Sequence, residues 1–102
     1  MTTIKVKILK SQKDLTIGLI NHIKPEPVML LTRFGIHTFG LSFPIDVVIL
    51  DKGGIAVKLK KNLKPNNVLF WPVKYNKVLE LPSGLIKKYR IKIGSKINYE
   101  PK

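Results

Sequence analysis

In the opening segment TIKVKIL, Ile4, Val6 and Ile8 alternate with Lys5 and Lys7, and in IAVKLKK, Ile55, Val57 and Leu59 alternate with Lys58 and Lys60. A period of two puts the apolar set on one face of an extended strand and the lysines on the other, whereas on a helix it would scatter both sets around the axis. The chain is therefore built for sheet packing. Between these segments, IDVVILD is β-branched and strand-like, and KGG at Lys52 to Gly54 supplies a turn in which glycine takes positive φ without cost. The spacing predicts a hairpin of IDVVILD with IAVKLKK.

The remaining segments follow the same grammar. KSQKD reads as a turn, and LTIGLINHI as a strand or an irregular connection, because Gly18 weakens a helix there. Pro25 and Pro27 keep a central strand from starting before Val28. NLKPNN is a turn cluster, and VLFWPV and KVLELP are two short strands around a KYN link. One helix is predicted over residues 83–90, with Ser83 as N-cap and Leu85, Ile86 and Tyr89 on one face, before IKIGSKINY resumes as strand with a break at Gly94. Short strands separated by Gly, Pro and Asn turns predict a mainly β fold, a β-sandwich or partly closed barrel with one short helix, formed by residues 1–102 as a single domain. At 102 residues and 44% apolar content the chain can bury a core without a metal or disulfide staple.

Composition narrows the chemistry. There are no cysteines, which removes thiol catalysis, iron–sulfur ligation and cysteine zinc sites. His22 and His37 are the only histidines and do not form a spaced pair, so no metal site is expected and no cofactor is implied. KGG lacks the spacing of a phosphate-binding loop, and no G-x-S-x-G nucleophile elbow occurs. The N-terminus lacks the continuous apolar run of a signal peptide, and VMLL and VVIL are far shorter than a membrane span, so a cytoplasmic protein without membrane association is expected. Lys and Arg number 19 against 6 Asp and Glu, a net charge of +13. A field of that sign attracts polyanions. With Arg33 and Arg90 as the only arginines, bidentate readout of base edges is not expected, so nucleic acid would be held without sequence preference.

The motifs IHTFGLSFPIDVVILD (Ile36 to Asp51), LKP (Leu63 to Pro65), VLELPSG (Val78 to Gly84) and the terminal IKIGSKI resemble, in order and spacing, those of the domain of unknown function 192 family, from about Gly18 onward. The resemblance implies a mainly β, sandwich-like fold with one short helix and brings no established reaction or ligand. Three departures stand out. Family members often carry a secretion signal or lipoprotein-like leader, whereas this chain opens on its first strand. The upstream segment of the family usually shows a Gly-Leu-Met pattern with a nearby arginine, where IGLINHI has Ile20, Asn21 and His22. The third motif commonly has Ala before Gly, where Ser83 stands here.

Two sets of site candidates emerge. If IHTF pairs with PIDVV across a loop of Gly40 to Phe43, Phe39 opposes Pro44 and His37 opposes Asp46, an acid–base or binding pair that Glu80 could join. A loop one residue shorter sets Asp46 across from Ile36 and dissolves the pair. The bland alternative makes Thr38 and Asp46 fasteners of turn amides and His37 a half-buried packing residue. The second set is cationic. Lys5, Lys7, Lys58 and Lys60 form a stripe if the first strand neighbours IAVKLKK, and Lys87, Lys88, Arg90 and Lys92 form another cluster. Trp71 or Tyr75 would offer a base a stacking face, and an anion could sit at the helix start near Ser83 and Gly84. The opposing expectation is edge-strand protection for the lysines and a core position for Phe34, Phe39, Phe43, Phe70 and Trp71. The expected function is a non-catalytic binding or accessory domain whose partner is nucleic acid or another polyanion. The alternative is a small-molecule or glycan-type ligand domain or enzyme with a polar site at His37, Thr38, Asp46 and Glu80.

Overall fold

A computed structural model describes residues 3–9, 26–33, 35–39 and 41–102. Within these, six strands form one mixed sheet: β1 (Thr3–Leu9), β2 (Val28–Leu30), β4 (Ile45–Leu50), β5 (Ala56–Leu63), β7 (Lys77–Pro82) and β8 (Asn98–Pro101), in the order β5-β4-β7-β2-β1-β8. β3 (Gly35–His37) and β6 (Val68–Phe70) make a separate antiparallel pair, and α1 (Leu85–Lys88) is a single helical turn. Among the described residues the fold is mainly β with one short helix, as expected, and the six-stranded sheet is open rather than closed into a barrel. The segments KSQKD and LTIGLINHI, with His22, and also Phe34 lie outside the described residues.

The burial pattern explains the strand order. β4 and β7 occupy interior positions of the sheet, and every residue of β4 is buried, which is why its sequence is continuously apolar apart from Asp46. The lysine-rich β5 lies at an edge, where cationic side chains discourage further strand pairing. One core, containing Val28, Val47, Ile49, Val78 and Trp71, lies on the face that Ile36 and Leu69 of the β3–β6 pair cover. The other, containing Met29, Val48, Leu79 and Leu81, lies on the opposite face under Ile86, Ile91 and Ile97.

The predicted β4–β5 hairpin forms, closed by Asp51, whose Oδ1 accepts the amides of Gly53 and Ile55 at 2.9 Å each, with Gly54 at φ 82. Its alternation, however, is interrupted. Ile49 pairs with Lys58 but Leu50 with Ala56, so Val57 is an extra residue, and a second shift separates Ile45–Leu63 from Val47–Lys60. Ile55, Val57 and Leu59 therefore do not share a face: Val57 packs on the first core and Leu59 on the second. A β-bulge adds one residue to one strand, which inverts the alternation beyond it.

Leu79 is fully buried at the centre of β7. Leu79→Ala is expected to lower unfolding free energy by about 2–5 kcal/mol through lost transfer energy and a residual cavity. Urea denaturation at constant pH measures it.

Candidate functional site

The proposed partners do not meet. β3 pairs with β6, so His37 stands across from Val68, while β4 pairs with β7, so Asp46 stands across from Leu81. The segment between His37 and Ile45 passes from one sheet to the other rather than closing a hairpin, and neither loop length considered from the sequence describes it. Glu80 pairs with Val47, the neighbour of Asp46, so the two carboxylates project from opposite faces of the same sheet. His37, Asp46 and Glu80 occupy three separate environments.

Asp46 is a fastener. Only 2% exposed, its carboxylate reaches beyond the sheet in two directions. Oδ1 accepts the amide of Asn62 at 2.9 Å, at the β5 bulge where Asn62 itself takes φ 54. Oδ2 accepts the amides of Gly84 at 2.9 Å and Ile86 at 3.0 Å, the start of α1. This changes two expectations. The N-cap is Gly84, at φ 100, and not Ser83, whose hydroxyl instead donates to Asn62 Oδ1 at 3.1 Å. The amides near Ser83 and Gly84 that an anion could occupy are already taken by the protein's own carboxylate, which supplies from another strand the oxygen that a capping side chain normally provides.

Thr38 is also a fastener. It is fully buried; its hydroxyl donates to Lys64 O at 2.7 Å and accepts the Asn67 amide at 2.9 Å. Its own amide donates to Asn67 O and its carbonyl accepts from Asn66. The turn LKPNN is thus tied to the end of β3 by one residue. His37, next in sequence, is exposed rather than half-buried, because alternation along β3 sends Ile36 inward and His37 outward.

Glu80 is the anomaly. It lies 3% exposed on the face of the first core, its Oε2 has no hydrogen-bond partner, and burial raises its pKa from 4.5 to about 8. Desolvation disfavours the charged form, so the side chain is held as the neutral acid at neutral pH. Its cross-strand row reads Lys60, Val47, Glu80, Val28 and Lys7, with both lysines exposed at the margins. Among the described residues no three His, Asp or Glu side chains gather into a group that could hold a metal ion.

The cationic candidates are arranged differently from the predicted stripe. β2, β7 and β4 separate β1 from β5, a span of roughly 19 Å at ordinary strand spacing. Lys5 and Lys7 therefore form one margin of the first core's face and Lys58 and Lys60 the other. Lys87, Lys88, Arg90 and Lys92 stand exposed on α1 and just after it, as a separate cluster. Trp71 offers no stacking face: it is 5% exposed and its Nε1 donates to Tyr75 O at 2.9 Å. Phe43 packs against the first core, but Phe39 and Phe70 are 50% and 56% exposed, contrary to the core position expected of them. Alternation accounts for both, since Phe70 neighbours the inward Leu69 and Phe39 follows the buried Thr38.

Among the described residues no helix is long and apolar enough to cross a membrane. The sequence matches the family model of DUF192, an uncharacterised ACR, over residues 1–99. None of the curated proteins matches the chain. Two crystal structures are similar in fold. One, a protein of unknown function from Novosphingobium aromaticivorans DSM 12444, has a TM-score of 0.78 at 18% identity, covering 89% of this chain and 71% of its own. The other, a candidate transcription regulator from Sinorhizobium meliloti 1021, has a TM-score of 0.79 at 16% identity, covering 89% and 78%. At these identities the likeness is one of fold alone.

Asp46→Ala is expected to destabilise the protein by about 2–4 kcal/mol, since three amides lose their acceptor. Asp46→Asn rescues little, because one of its two positions becomes an N–H facing an N–H. Urea titrations of both variants test this, and a mild effect of the Asn change would show that a single oxygen suffices.

Glu80 makes stability depend on pH in a definite direction. Between pH 4.5 and about 8 the unfolded chain has lost the Glu80 proton while the folded chain keeps it, so stability falls as pH rises, by at most about 1.4 kcal/mol per unit. Below 4.5 both states are neutral, and above 8 both are ionised. The stability difference between wild type and Glu80→Gln, measured by denaturation from pH 5 to 9, is expected to grow across this window in favour of the variant.

Proposed function

The chain belongs to the DUF192 family, and from that premise we propose that it is a non-catalytic binding module for polyanions, with nucleic acid held through lysines without sequence preference. One observation carries this reading: among the described residues, three of the five acids are buried or tied to backbone amides. The chain has six acids. Asp46 is buried on backbone amides, Asp51 is tied into its turn, and Glu80 is buried and neutral. Among the described residues two ion pairs remain, Lys5–Glu100 at 4.0 Å and Lys102–Glu26 at 3.3 Å, both with exposed or half-exposed partners that solvent screens. Among the described residues, Lys7, Lys58 and Lys60 at the margins of the sheet and Lys87, Lys88, Arg90 and Lys92 on and after α1 are consequently left without a carboxylate partner.

A cationic surface of this kind binds phosphates by releasing condensed counterions, which needs no fixed geometry and confers no sequence readout. The scarcity of arginine agrees with that mode. A cytoplasmic location, which this reading also assumes, would bring the chain to such a partner. A second reading, a small-molecule or glycan-type ligand domain, has one support: Glu80 Oε2 is a buried polar atom without a hydrogen-bond partner among the described residues, and a polar group of a ligand would satisfy it.

With a labelled oligonucleotide, fluorescence anisotropy is expected to show log affinity falling linearly with log salt, by roughly 0.9 per contacted duplex phosphate and 0.7 per single-strand phosphate. Sequence changes at constant length should leave affinity nearly constant. Lack of binding at low salt would remove the proposal.

A further inference from the structure

We propose that the outward face of the β3–β6 pair is a stacking platform for unpaired bases, so that the partner of the cationic surface is single-stranded nucleic acid. The inference rests on the polyanion reading above and deepens it.

The face is assembled from backbone register. Ile36 and Leu69 pair and point into the first core, so the flanking pairs, Gly35–Phe70 and His37–Val68, point outward. The Phe70 ring lies against Gly35, where a Cβ would come within 2.6 Å of its Cδ1. Glycine therefore lets one side of that ring rest on the strand. At the other end, the His37 and Phe39 rings stack at 4.8 Å between centroids and 23° between planes, and His37 Nδ1 accepts the Phe39 amide at 3.3 Å. Val68 lies between the two aromatic groups and is itself 49% exposed. Together they border a groove of about 390 Å³.

An exposed apolar surface of this kind marks an interaction site, and its surroundings select the partner. Arg33 lines the groove, fixed by donation to Val73 O at 2.9 Å, and Lys58 reaches the rim, its Nζ donating to Phe70 O at 3.1 Å. Among the described residues no carboxylate lines it. Two copies of a chain with net charge +13 would repel at such a face. A single strand supplies both phosphates for the cations and π-faces for the rings, and stacking is tolerant of base identity because every base has a flat face. In a duplex the bases are already stacked on each other, so only the phosphates remain available. The platform thus predicts a preference for single strands that charge alone does not.

The test uses the full chain with fluorescently labelled oligothymidylate of about 10 nucleotides, a duplex of equal length, and an abasic strand carrying the same phosphates. Wild type should prefer the oligothymidylate over both other probes. Phe39→Ala and Phe70→Ala are each expected to weaken oligothymidylate binding roughly 5- to 150-fold, the range of one base–aromatic stack. Duplex and abasic affinities should change less than about twofold, and the salt slope should stay constant. Phe39→Trp retains binding and adds indole emission that oligothymidylate quenches, against the constant background of buried Trp71, which guards against misreading a folding defect. Absence of binding to every probe overturns the polyanion reading itself. Binding of all three probes with equal affinity, unaffected by either alanine change, leaves that reading standing and overturns the platform. A wild-type dimer, seen by sedimentation, that Phe70→Ala dissolves without affecting oligothymidylate affinity also overturns it, and identifies the face as a protein interface.

Discussion

The Asp46 carboxylate joins three pieces of chain that are distant in sequence: the buried strand β4, the β5 bulge at Asn62 and the start of α1 at Gly84 and Ile86. A carboxyl group in a nearly sealed position is tolerated only when its oxygens are hydrogen-bonded, and here the donors are backbone amides. Each side of the bond therefore solves the other's difficulty. The bulge shifts the alternation of β5, and the helix start positions Ile86 over the second core; both depend on this one side chain for amide satisfaction.

A consequence reaches the surface. Asp46 and Asp51 bind backbone amides and Glu80 is buried as the neutral acid, and among the described residues none of the three forms an ion pair with a lysine. The sheet then divides the cations by geometry: Lys5 and Lys7 lie on one margin of the first core's face and Lys58 and Lys60 on the other, with the β3–β6 pair covering the core itself. The pair has an inner row that packs, Ile36 and Leu69, and an outer row in which His37, Val68 and Phe70 are exposed. Charge at the rim and flat apolar faces above the core are thus products of the same two-layer construction.

Much of this architecture was legible in the letters. The β4–β5 hairpin followed from β-branched and alternating segments around Lys52–Gly54, and the short helix from the pattern at Leu85, Ile86 and Tyr89, although its extent shrinks to Leu85–Lys88. The family motifs pointed to the same mainly β fold. The placement of the polar residues was not legible. IHTF and PIDVV look like two arms of a hairpin, yet His37 pairs into one sheet and Asp46 into another, since each strand found a partner thirty or more residues away. Local spacing carries no information about such distant pairings. Trp71 and Phe70 illustrate the same limit: adjacent residues, one sealed with its N–H bonded to Tyr75 and one open to solvent.

By itself the sequence determined the extended character of the chain, its lack of thiol chemistry and its cationic balance, because alternation, residue type and charge are properties of the chain before it folds. Only the tertiary structure decided what the motif Ile36 to Asp51 does. It turned Asp46 and Thr38 into fasteners of backbone amides, left Glu80 neutral and unpaired on the opposite face from Asp46, and put His37 and Phe39 in solvent. The physical reason is that a side chain's role depends on which face of which sheet receives it, and that is set by long-range strand pairing.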